Sequence, residues 1–259
     1  KVNMMTDKSD RSLLLVDPKS NFEIDFSGMA ITMENFEDLK EQIENADLEM
    51  RKIVAGEVKN PDENRKVTHF TDRKYYLQSE LFSNIEKFAT QIREGTIRSC
   101  TGEKFQAAII NGIGGSALGP QLLQFAINGP YWNEKNEKQR NNWLKIYFLD
   151  NTDTTGITDL LEVIDLSKTL IVNISKSGGT QETKNNMIAL SDAFNKKGLN
   201  FPKNASAITM ENSELDNVAK SNDWLKVFHM ADSIGGRTSE TSVVGHLPAA
   251  LAGINFKDL

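Results

Sequence analysis

The fold is indicated most clearly by residues 169–183, which read TLIVNISKSGGTQET. The first six residues, Thr169 to Ile174, are mostly β-branched or apolar, as in a strand that is buried on both faces of a parallel sheet. Three hydroxyls, one lysine and two adjacent glycines follow between Ser175 and Thr180. A helix is predicted from Gln181 to Lys196. A buried strand that leads through a glycine-rich turn into a helix predicts an α/β unit whose ligand binds at the turn.

The same alternation continues through the second half of the chain. Further strands are predicted at residues 105–111, 144–150, 205–210 and 225–230, and further helices at residues 120–127 and 158–164. This order of elements predicts a parallel sheet that is covered by helices on both faces.

The first hundred residues differ from this pattern. They are rich in charge, and their apolar residues recur with helical spacing at residues 33–55 and again at 74–94, where Gly95 would end the second helix. We therefore predict a mainly helical N-terminal segment over residues 1–103 and an α/β domain over residues 104–259.

The composition is that of an ordinary globular protein, with 39% hydrophobic and 25% charged residues. The net charge of -6 argues against binding to nucleic acid or to an anionic membrane. No run approaches the ~18 apolar residues of a membrane span, and residues 1–7 lack the apolar core of a signal peptide. The single cysteine, Cys100, excludes an internal disulfide and favours a reduced, cytoplasmic protein. No metal is expected, because His, Cys, Asp and Glu do not recur with metal-ligand spacing. No cofactor is expected either.

The loop at residues 175–180 predicts a cradle for a phosphate monoester. It supplies three hydroxyls, one cation and two permissive glycines, from Ser175, Lys176, Ser177, Gly178, Gly179 and Thr180. Thr180 is a favourable N-cap, so a bound anion would face the start of the following helix. The spacing of a nucleotide P-loop is absent. The alternative to a phosphate site is an ordinary polar turn with an N-cap.

Two more glycine-rich loops follow strand candidates. In residues 111–120, NGIGGSALGP, Gly115 and Ser116 offer backbone N–H groups and a hydroxyl to an anion. In residues 235–239, GGRTS, Arg237 could clamp a phosphate or stabilise an oxyanion that forms during a reaction. Taken alone, each loop also fits a structural role, as a tight turn or as a surface ion pair. Three such loops at the carboxyl ends of strands in one sheet predict one ligand site.

At these residues the chain resembles the phosphoglucose isomerase family. The motifs that carry the resemblance are IGGS at 113–116, SKSGGTQET at 175–183 and GGRTS at 235–239, with an upstream pattern of Gly56, Glu57, Asn60, Glu63, Arg65, His69 and Arg73. The resemblance covers roughly residues 23–259. It implies a sugar-isomerase (SIS) fold, which is a Rossmann-like three-layer αβα sandwich around a five-stranded parallel sheet. The family has two such domains in tandem and works as a homodimer. The similarity here stops at the first domain, so the second SIS domain is expected to be absent from this chain.

The resemblance also implies an activity. The family are aldose–ketose isomerases that interconvert glucose 6-phosphate and fructose 6-phosphate through a cis-enediol intermediate, in glycolysis and gluconeogenesis. By resemblance, Gly115, Ser116 and residues 175–180 would hold the phosphate, and Arg237 would stabilise the enediolate. The Glu that moves the proton, and the His and Lys that assist ring opening, are expected outside this chain. The chain is therefore expected to bind a sugar phosphate and to be inactive alone.

The residues of this chain that could replace the missing base are poor candidates. Glu182 lies in the first turn of a predicted helix, where a negative charge suits the helix dipole. His229 follows a strand and could donate a proton, but a histidine satisfied by its core or loop surroundings is the more common case. The same holds for His69 and His246.

Two other functions remain open from the residues alone. Single SIS-type domains can serve as non-catalytic, ligand-controlled regulatory modules, although a sensor has no need of the charge at Arg237. A dinucleotide oxidoreductase would use Gly112, Gly114 and Ala117, which fit a relaxed fingerprint. That reading expects an acid about twenty residues further on, and Asp150 lies farther away.

Overall fold

The computed structural model describes residues 13–258, and the chain divides into two compact units, Lys1–Glu57 and Val58–Leu259. In the first unit an antiparallel hairpin joins β1 (Leu14–Asp17) to β2 (Phe22–Asp25), and two helices follow, α1 (Met33–Asp38) and α2 (Lys40–Val54). The helices confirm the helical pattern predicted at residues 33–55, with a break at Leu39. The hairpin was not predicted.

The second unit contains a five-stranded parallel sheet. Its strands are β3 (Ala107–Asn111), β4 (Lys145–Leu149), β5 (Thr169–Ile174), β6 (Ala205–Thr209) and β7 (Lys226–His229). They are ordered β4-β3-β5-β6-β7, so the chain steps to one side of β3 and then returns to build the rest of the sheet on its other side. The five predicted strands are confirmed, and β5 has the predicted bounds.

Seven α-helices of this unit are described. They are α3 (His69–Tyr76), α4 (Glu80–Glu94), α5 (Gly115–Leu123), α6 (Thr154–Val163), α7 (Gln181–Lys196), α8 (Glu214–Ser221) and α9 (Val243–Leu251). The prediction for α7 is confirmed to the residue. The helix predicted at 74–94 is two helices, because α3 ends at Tyr76 and Ser79 caps a new start, its Oγ accepting from the Phe82 N–H at 3.1 Å.

The helix predicted from Pro120 starts five residues earlier, at Gly115. Proline favours the first turn of a helix, and this preference misplaced the predicted start. In the structure Pro120 lies inside α5, and the helix continues as a π-helical turn at Gln124–Asn128.

The sheet separates two apolar layers, because successive strand residues point to opposite faces. Leu170, Val172 and Ile174 pack in one layer, and Ile171 packs in the other. The first layer contains α4 and α9, and the second contains α6 and α7. The predicted three-layer αβα sandwich is therefore confirmed.

Helix α4 belongs to the same core as the sheet. Its apolar face, which includes Phe82, Ile85 and Phe88, is buried with the strand residues Ala108 and Ile110. The compact unit that holds the sheet thus begins well before residue 104. The division at 103/104 concerns the bounds of a family domain and stays a prediction. In the part of the chain that is described, no helix combines the length and the hydrophobicity needed to cross a bilayer.

We expect Phe88→Ala to destabilise the second unit by about 3–5 kcal/mol, because it leaves a cavity beneath α4 where the Phe88 ring meets Phe228 at 5.4 Å. Urea unfolding followed by tryptophan fluorescence measures this, since Trp132, Trp143 and Trp224 all lie in that unit. Val163→Ala is the control, because that side chain is 70% exposed, and its effect should stay within about 0.5 kcal/mol. Equal effects of the two substitutions would contradict a core role for α4.

Candidate functional site

The order of the strands creates a crevice at one edge of the sheet. The connections from β3 and from β5 leave in opposite directions, which makes the gap between these neighbouring strands a topological switch point. In open parallel sheets, ligands bind beyond the carboxyl ends of the strands at this point. The loop at residues 112–116 follows β3 and the loop at 175–180 follows β5. Two of the three predicted loops therefore flank the crevice.

The loop at 175–180 is organised by its own hydroxyls. The Ser175 side chain is buried, and its Oγ accepts from the Gly178 N–H at 3.1 Å and shares a hydrogen bond of 2.9 Å with Thr180 Oγ1. Ser177 Oγ accepts from the Gly179 N–H at 3.2 Å. Thr180 occupies the N-cap position of α7, as predicted, but its side chain makes no capping hydrogen bond. The first-turn N–H groups of α7 are therefore left for an anion at the helix N-terminus.

The two glycines of this loop differ in how strictly the structure excludes a side chain. Gly178 has a φ of +76°, and a Cβ there would lie 2.3 Å from the backbone nitrogen of Leu215 at the start of α8. Both the left-handed backbone and the close approach exclude a side chain. At Gly179 a Cβ would find its nearest atoms at 3.8 Å, an ordinary contact distance.

The loop at residues 235–239 packs directly on the loop at residues 111–120. A Cβ on Gly115 would lie 2.3 Å from the Cα of Gly236, so the two backbones touch where neither residue has a side chain. Ser239 Oγ donates to the Gly115 carbonyl, which fixes the contact. Arg237 lies on the 3-10 turn Gly236–Thr241 between these two points. Its side chain is exposed, and no residue between 13 and 258 forms an ion pair with it. A guanidinium without a carboxylate partner is available to an anionic ligand.

Lys176 is held by carboxylates. Its Nζ lies 2.7 Å from Asp232 Oδ1 and 3.9 Å from Glu63 Oε2, and it donates to the Asp232 carbonyl oxygen at 2.6 Å. Glu63 in turn pairs with Arg65, whose hydrogen bond holds the pKa of the Glu63 carboxyl below its usual range. Positive and negative side chains thus alternate in the order Arg65, Glu63, Lys176 and Asp232. The positive charge of Lys176 is therefore largely compensated within the protein. Its role as a phosphate ligand stays a prediction.

A polar network beneath the crevice was missed by the sequence analysis. Asn111 Nδ2 donates to Asn173 Oδ1 at 2.8 Å and to the Thr183 carbonyl oxygen at 2.9 Å, and Asn186 Nδ2 donates to the Asn151 carbonyl oxygen at 3.0 Å. These contacts tie the ends of β3 and β5, and the segment that follows β4, to the first turns of α7. The signal was an asparagine at the end of each of two apolar strand runs, because a buried amide usually finds hydrogen-bond partners. Not every atom of the network finds one: Asn111 Oδ1, Asn173 Nδ2 and Asn186 Oδ1 are buried and make no hydrogen bond with the described residues.

The histidines and Glu182 occupy varied surroundings. His229 Nε2 lies 3.0 Å from Asp216 Oδ1, and the His69 ring packs against Phe70. His246 is buried in α9, where burial lowers its pKa to about 4. Glu182 is half-buried in the first turn of α7. Across residues 13–258 no group of three His, Cys, Asp or Glu side chains could hold a metal ion.

The fold and the crevice define a class of protein, namely a doubly wound α/β protein whose switch point presents glycine-rich loops suited to an anion. Comparison with known proteins narrows this class. The family model for phosphoglucose isomerase matches residues 25–259. The chain belongs to the phosphoglucose isomerase family.

Several relatives agree with this assignment. Glucose-6-phosphate isomerases from Citrifermentans bemidjiense and Thermosynechococcus vestitus are 40% and 39% identical to the chain, over 96% and 95% of its length. The crystal structure of a glucose-6-phosphate isomerase from Chlamydia trachomatis matches 93% of the chain with a TM-score of 0.71 and 26% identity. The chain covers 47% of the length of the first two relatives and 48% of the third, so it spans about half of the proteins it matches.

The two neighbouring glycines allow a matched test of the loop. Gly178→Ala should destabilise the second unit by roughly 2 kcal/mol or more, since it combines a strained φ with a backbone clash. Gly179→Ala, whose new methyl group would meet only ordinary contacts, should change stability by less than about 0.5 kcal/mol. Urea unfolding of both variants gives the two values. A Gly178 variant as stable as the Gly179 variant would contradict the geometry of the loop.

Asp216 should make stability depend on pH in the acid range. Burial alone would raise the pKa of this carboxyl, but hydrogen bonds from Lys220, from His229 and from the Asn212 N–H outweigh burial and lower the pKa to about 2. Because the folded-state pKa lies below the ordinary value of 3.8, the stabilisation is complete above about pH 4 and is lost as the pH falls towards 2. It amounts to roughly 2 kcal/mol.

Urea unfolding between pH 2 and pH 5 tests this for Asp216→Asn. The difference in unfolding free energy between the parent chain and the variant should be largest near pH 5 and should shrink towards pH 2. Asp192→Asn is the control, because that carboxylate is 57% exposed in its pair with Lys196 and should contribute little. A difference for Asp216 that is independent of pH would rule out the assigned pKa shift.

Proposed function

We propose that the crevice binds the phosphate group of a sugar phosphate and that this chain is the phosphate-binding half of a glucose-6-phosphate isomerase. The observation that carries the proposal is the uncapped N-terminus of α7, which begins directly after the hydroxyl-rich loop 175–180 at the switch point of the sheet. Membership of the family and the names of the relatives support glucose 6-phosphate and fructose 6-phosphate as the two sugars.

The phosphate would be held mainly by neutral donors. Backbone N–H groups of α7 and the hydroxyls of Ser177 and Thr180 offer hydrogen bonds, and the helix dipole adds a partial positive charge. Lys176 would contribute little net charge, since it is compensated by Asp232 and Glu63. Ser116 and the backbone of Gly115 would reach the ligand from the neighbouring loop. Neutral donors suit a protein with a net charge of -6, whose own field repels anions.

Arg237 would act on the reacting end of the sugar. We propose a cis-enediol route, in which a proton moves between C1 and C2 and a negative charge develops on the enediolate oxygen. Arg237 is free of carboxylates and projects from the turn that contacts Gly115, which suits it to stabilise this charge. The base that moves the proton is proposed, from the family resemblance, to lie outside this chain. The chain alone is therefore proposed to bind substrate without turning it over.

The setting of the whole protein is also proposed from the family. We infer that residues 104–259 form the first SIS domain, that a second SIS domain lies outside this chain, and that the complete enzyme is a homodimer. It would act in the cytoplasm, in glycolysis and gluconeogenesis.

Calorimetric titration of the 259-residue chain tests the binding proposal. Glucose 6-phosphate should bind and glucose should not. Ser177→Ala should weaken glucose 6-phosphate binding roughly 3- to 10-fold, because one hydrogen bond to a charged group is lost. Ser191→Ala is the matched control: Ser191 is on α7 too, about 15 Å along the helix from its start. Equal binding of glucose and glucose 6-phosphate would refute the cradle, and turnover in a coupled isomerase assay would refute the proposed division of labour.

The role of Arg237 can be separated from phosphate binding with two ligands. A phosphorylated aldonate carries a carboxylate near the position of the enediolate charge, whereas glucitol 6-phosphate carries only hydroxyls there. Arg237→Ala should weaken the aldonate roughly 10- to 100-fold and leave glucitol 6-phosphate within about threefold. In the complete enzyme the same change should lower kcat by roughly 10²–10³. Arg98→Ala, another exposed arginine, serves as the control. An equal loss for both ligands would make Arg237 a phosphate ligand instead.

A further inference from the structure

The proposed phosphate site takes its donors from two loops that leave neighbouring strands. The loop at residues 112–116 follows β3, and the loop at 175–180 follows β5. The two loops start side by side, because a Cβ on Gly112 would lie 3.1 Å from the carbonyl oxygen of Ile174. Their spacing decides whether one phosphate group can reach the donors of both.

One side chain joins the bases of these loops. Asn111 is the last residue of β3 and directly precedes the loop at 112–116. The two hydrogens of its Nδ2 are directed to Asn173 Oδ1 at 2.8 Å and to the Thr183 carbonyl oxygen at 2.9 Å. Thr183 lies in the first turn of α7, three residues after Thr180. The bond to its carbonyl therefore fixes the N-terminus of α7 against the end of β3.

Asparagine at this position is poorly suited to the core. Two residues earlier on the same face of the sheet, Ile109 pairs with Ile171, and both side chains are apolar and fully buried. Asn111 and Asn173 form the next pair and are equally buried, yet Asn111 Oδ1 and Asn173 Nδ2 make no hydrogen bond with the described residues. Unpaired buried polar atoms are costly, so two apolar residues would pack better here. Such local departures from good packing are expected at functional sites, which points to a role for Asn111 outside the core.

A second buried asparagine has the opposite character. Asn204 lies at the amino-terminal end of the sheet, directly before β6, and is also fully buried. Its Nδ2 donates to the carbonyl oxygens of Thr169 at 2.9 Å and Leu166 at 3.3 Å, and its Oδ1 accepts from the Cys100 N–H at 2.8 Å. Both sides of this amide are bonded, at the end of the sheet away from the crevice. Asn204 therefore has a structural role and provides a matched control for Asn111.

We propose that Asn111 is a positioning residue of the phosphate site, an inference that rests on the proposed function. Asn111 does not touch the ligand. Through the Thr183 carbonyl it holds the start of α7 at the distance from Gly115 and Ser116 at which both loops bond the same phosphate group. When this bond is lost, the N–H groups of α7 and the donors of the loop at 112–116 no longer converge on one point.

Calorimetric titration of the 259-residue chain with glucose 6-phosphate tests the role of Asn111. Asn111→Leu and Asn204→Leu each remove a buried amide that donates to two oxygen atoms, so both should lower the urea midpoint. Asn111→Leu should weaken binding roughly 5- to 30-fold, whereas Asn204→Leu should stay within about twofold of the parent chain. The pair Asn111→Ser and Asn204→Ser repeats the comparison with a smaller change, so the test holds if a leucine variant does not fold.

A double-substitution cycle separates positioning from a general loss of structure. Ser116→Ala alone should weaken glucose 6-phosphate roughly 3- to 10-fold. In the Asn111 variant the same change should cost less than about twofold, because Ser116 no longer shares the phosphate with α7. In the Asn204 variant Ser116→Ala should keep its full effect, since a substitution that only destabilises the fold leaves the two effects additive.

Two results would overturn this role while leaving the proposed function intact. One is parent affinity for glucose 6-phosphate in the Asn111 variants. The other is additivity of the Asn111 and Ser116 substitutions. A parent chain that does not bind glucose 6-phosphate would instead refute the phosphate site itself, and the positioning role with it.

Discussion

The contact between the backbones of Gly115 and Gly236 is the constraint on which the candidate site depends. These residues are far apart in the sequence and come from different loops, yet a Cβ on Gly115 would overlap the Cα of Gly236. The missing side chains let the turn that carries Arg237 pack against the start of α5. Without this approach, Arg237 would lie on an unrelated loop at the end of β7. With it, a cation is positioned beside the loop that follows β3, at the switch point of the sheet.

The electrostatics of the crevice follow from the charge of the chain as a whole. An acidic protein that recruits an anion needs local positive potential, and the simplest source would be free lysines. Here Lys176 is compensated by Asp232 and Glu63, and the uncapped start of α7 offers oriented N–H groups instead. Such groups are fixed by the fold and need no side-chain ordering when the ligand arrives. The ion pairs of Lys176 thus fix the lysine to Asp232 and Glu63 and leave it little net charge to offer an anion.

Sequence reasoning succeeded where local chemistry determines an element and failed where packing does. The bounds of β5 and α7 could be predicted because a buried apolar run, two glycines and an N-cap threonine mark them unambiguously. The β1–β2 hairpin was missed because its residues are largely exposed and show no clear alternation. The start of α5 was placed at Pro120 because proline favours a first turn, and the contact that explains Gly115 lies more than a hundred residues away.

The candidate site, too, could be predicted where local sequence determines it and not where packing does. The three loops could be found from glycines and hydroxyls, but their arrangement depends on strand order, which local sequence does not encode. The partners of Lys176 could not be predicted either, because Asp232 and Glu63 approach it from segments with no periodic signal. The asparagines at the ends of β3 and β5 were overlooked since a single polar residue in an apolar run resembles a strand end, whereas the structure joins them into one buried network.

The proposed separation of binding from chemistry would have a physical basis. The phosphate group of a sugar phosphate does not react during isomerisation, so the loop at 175–180 would bind substrate and transition state equally well. Uniform binding of this kind lowers KM without accelerating the chemical step. Only a group that contacts the charge developing at C1 and C2 can stabilise the transition state more than the bound substrate. In the described part of the chain, Arg237 is suited to this role. A half of the enzyme that only positions the substrate would therefore need neutral donors for the phosphate and one uncompensated arginine. The proton transfer could then be left to other residues.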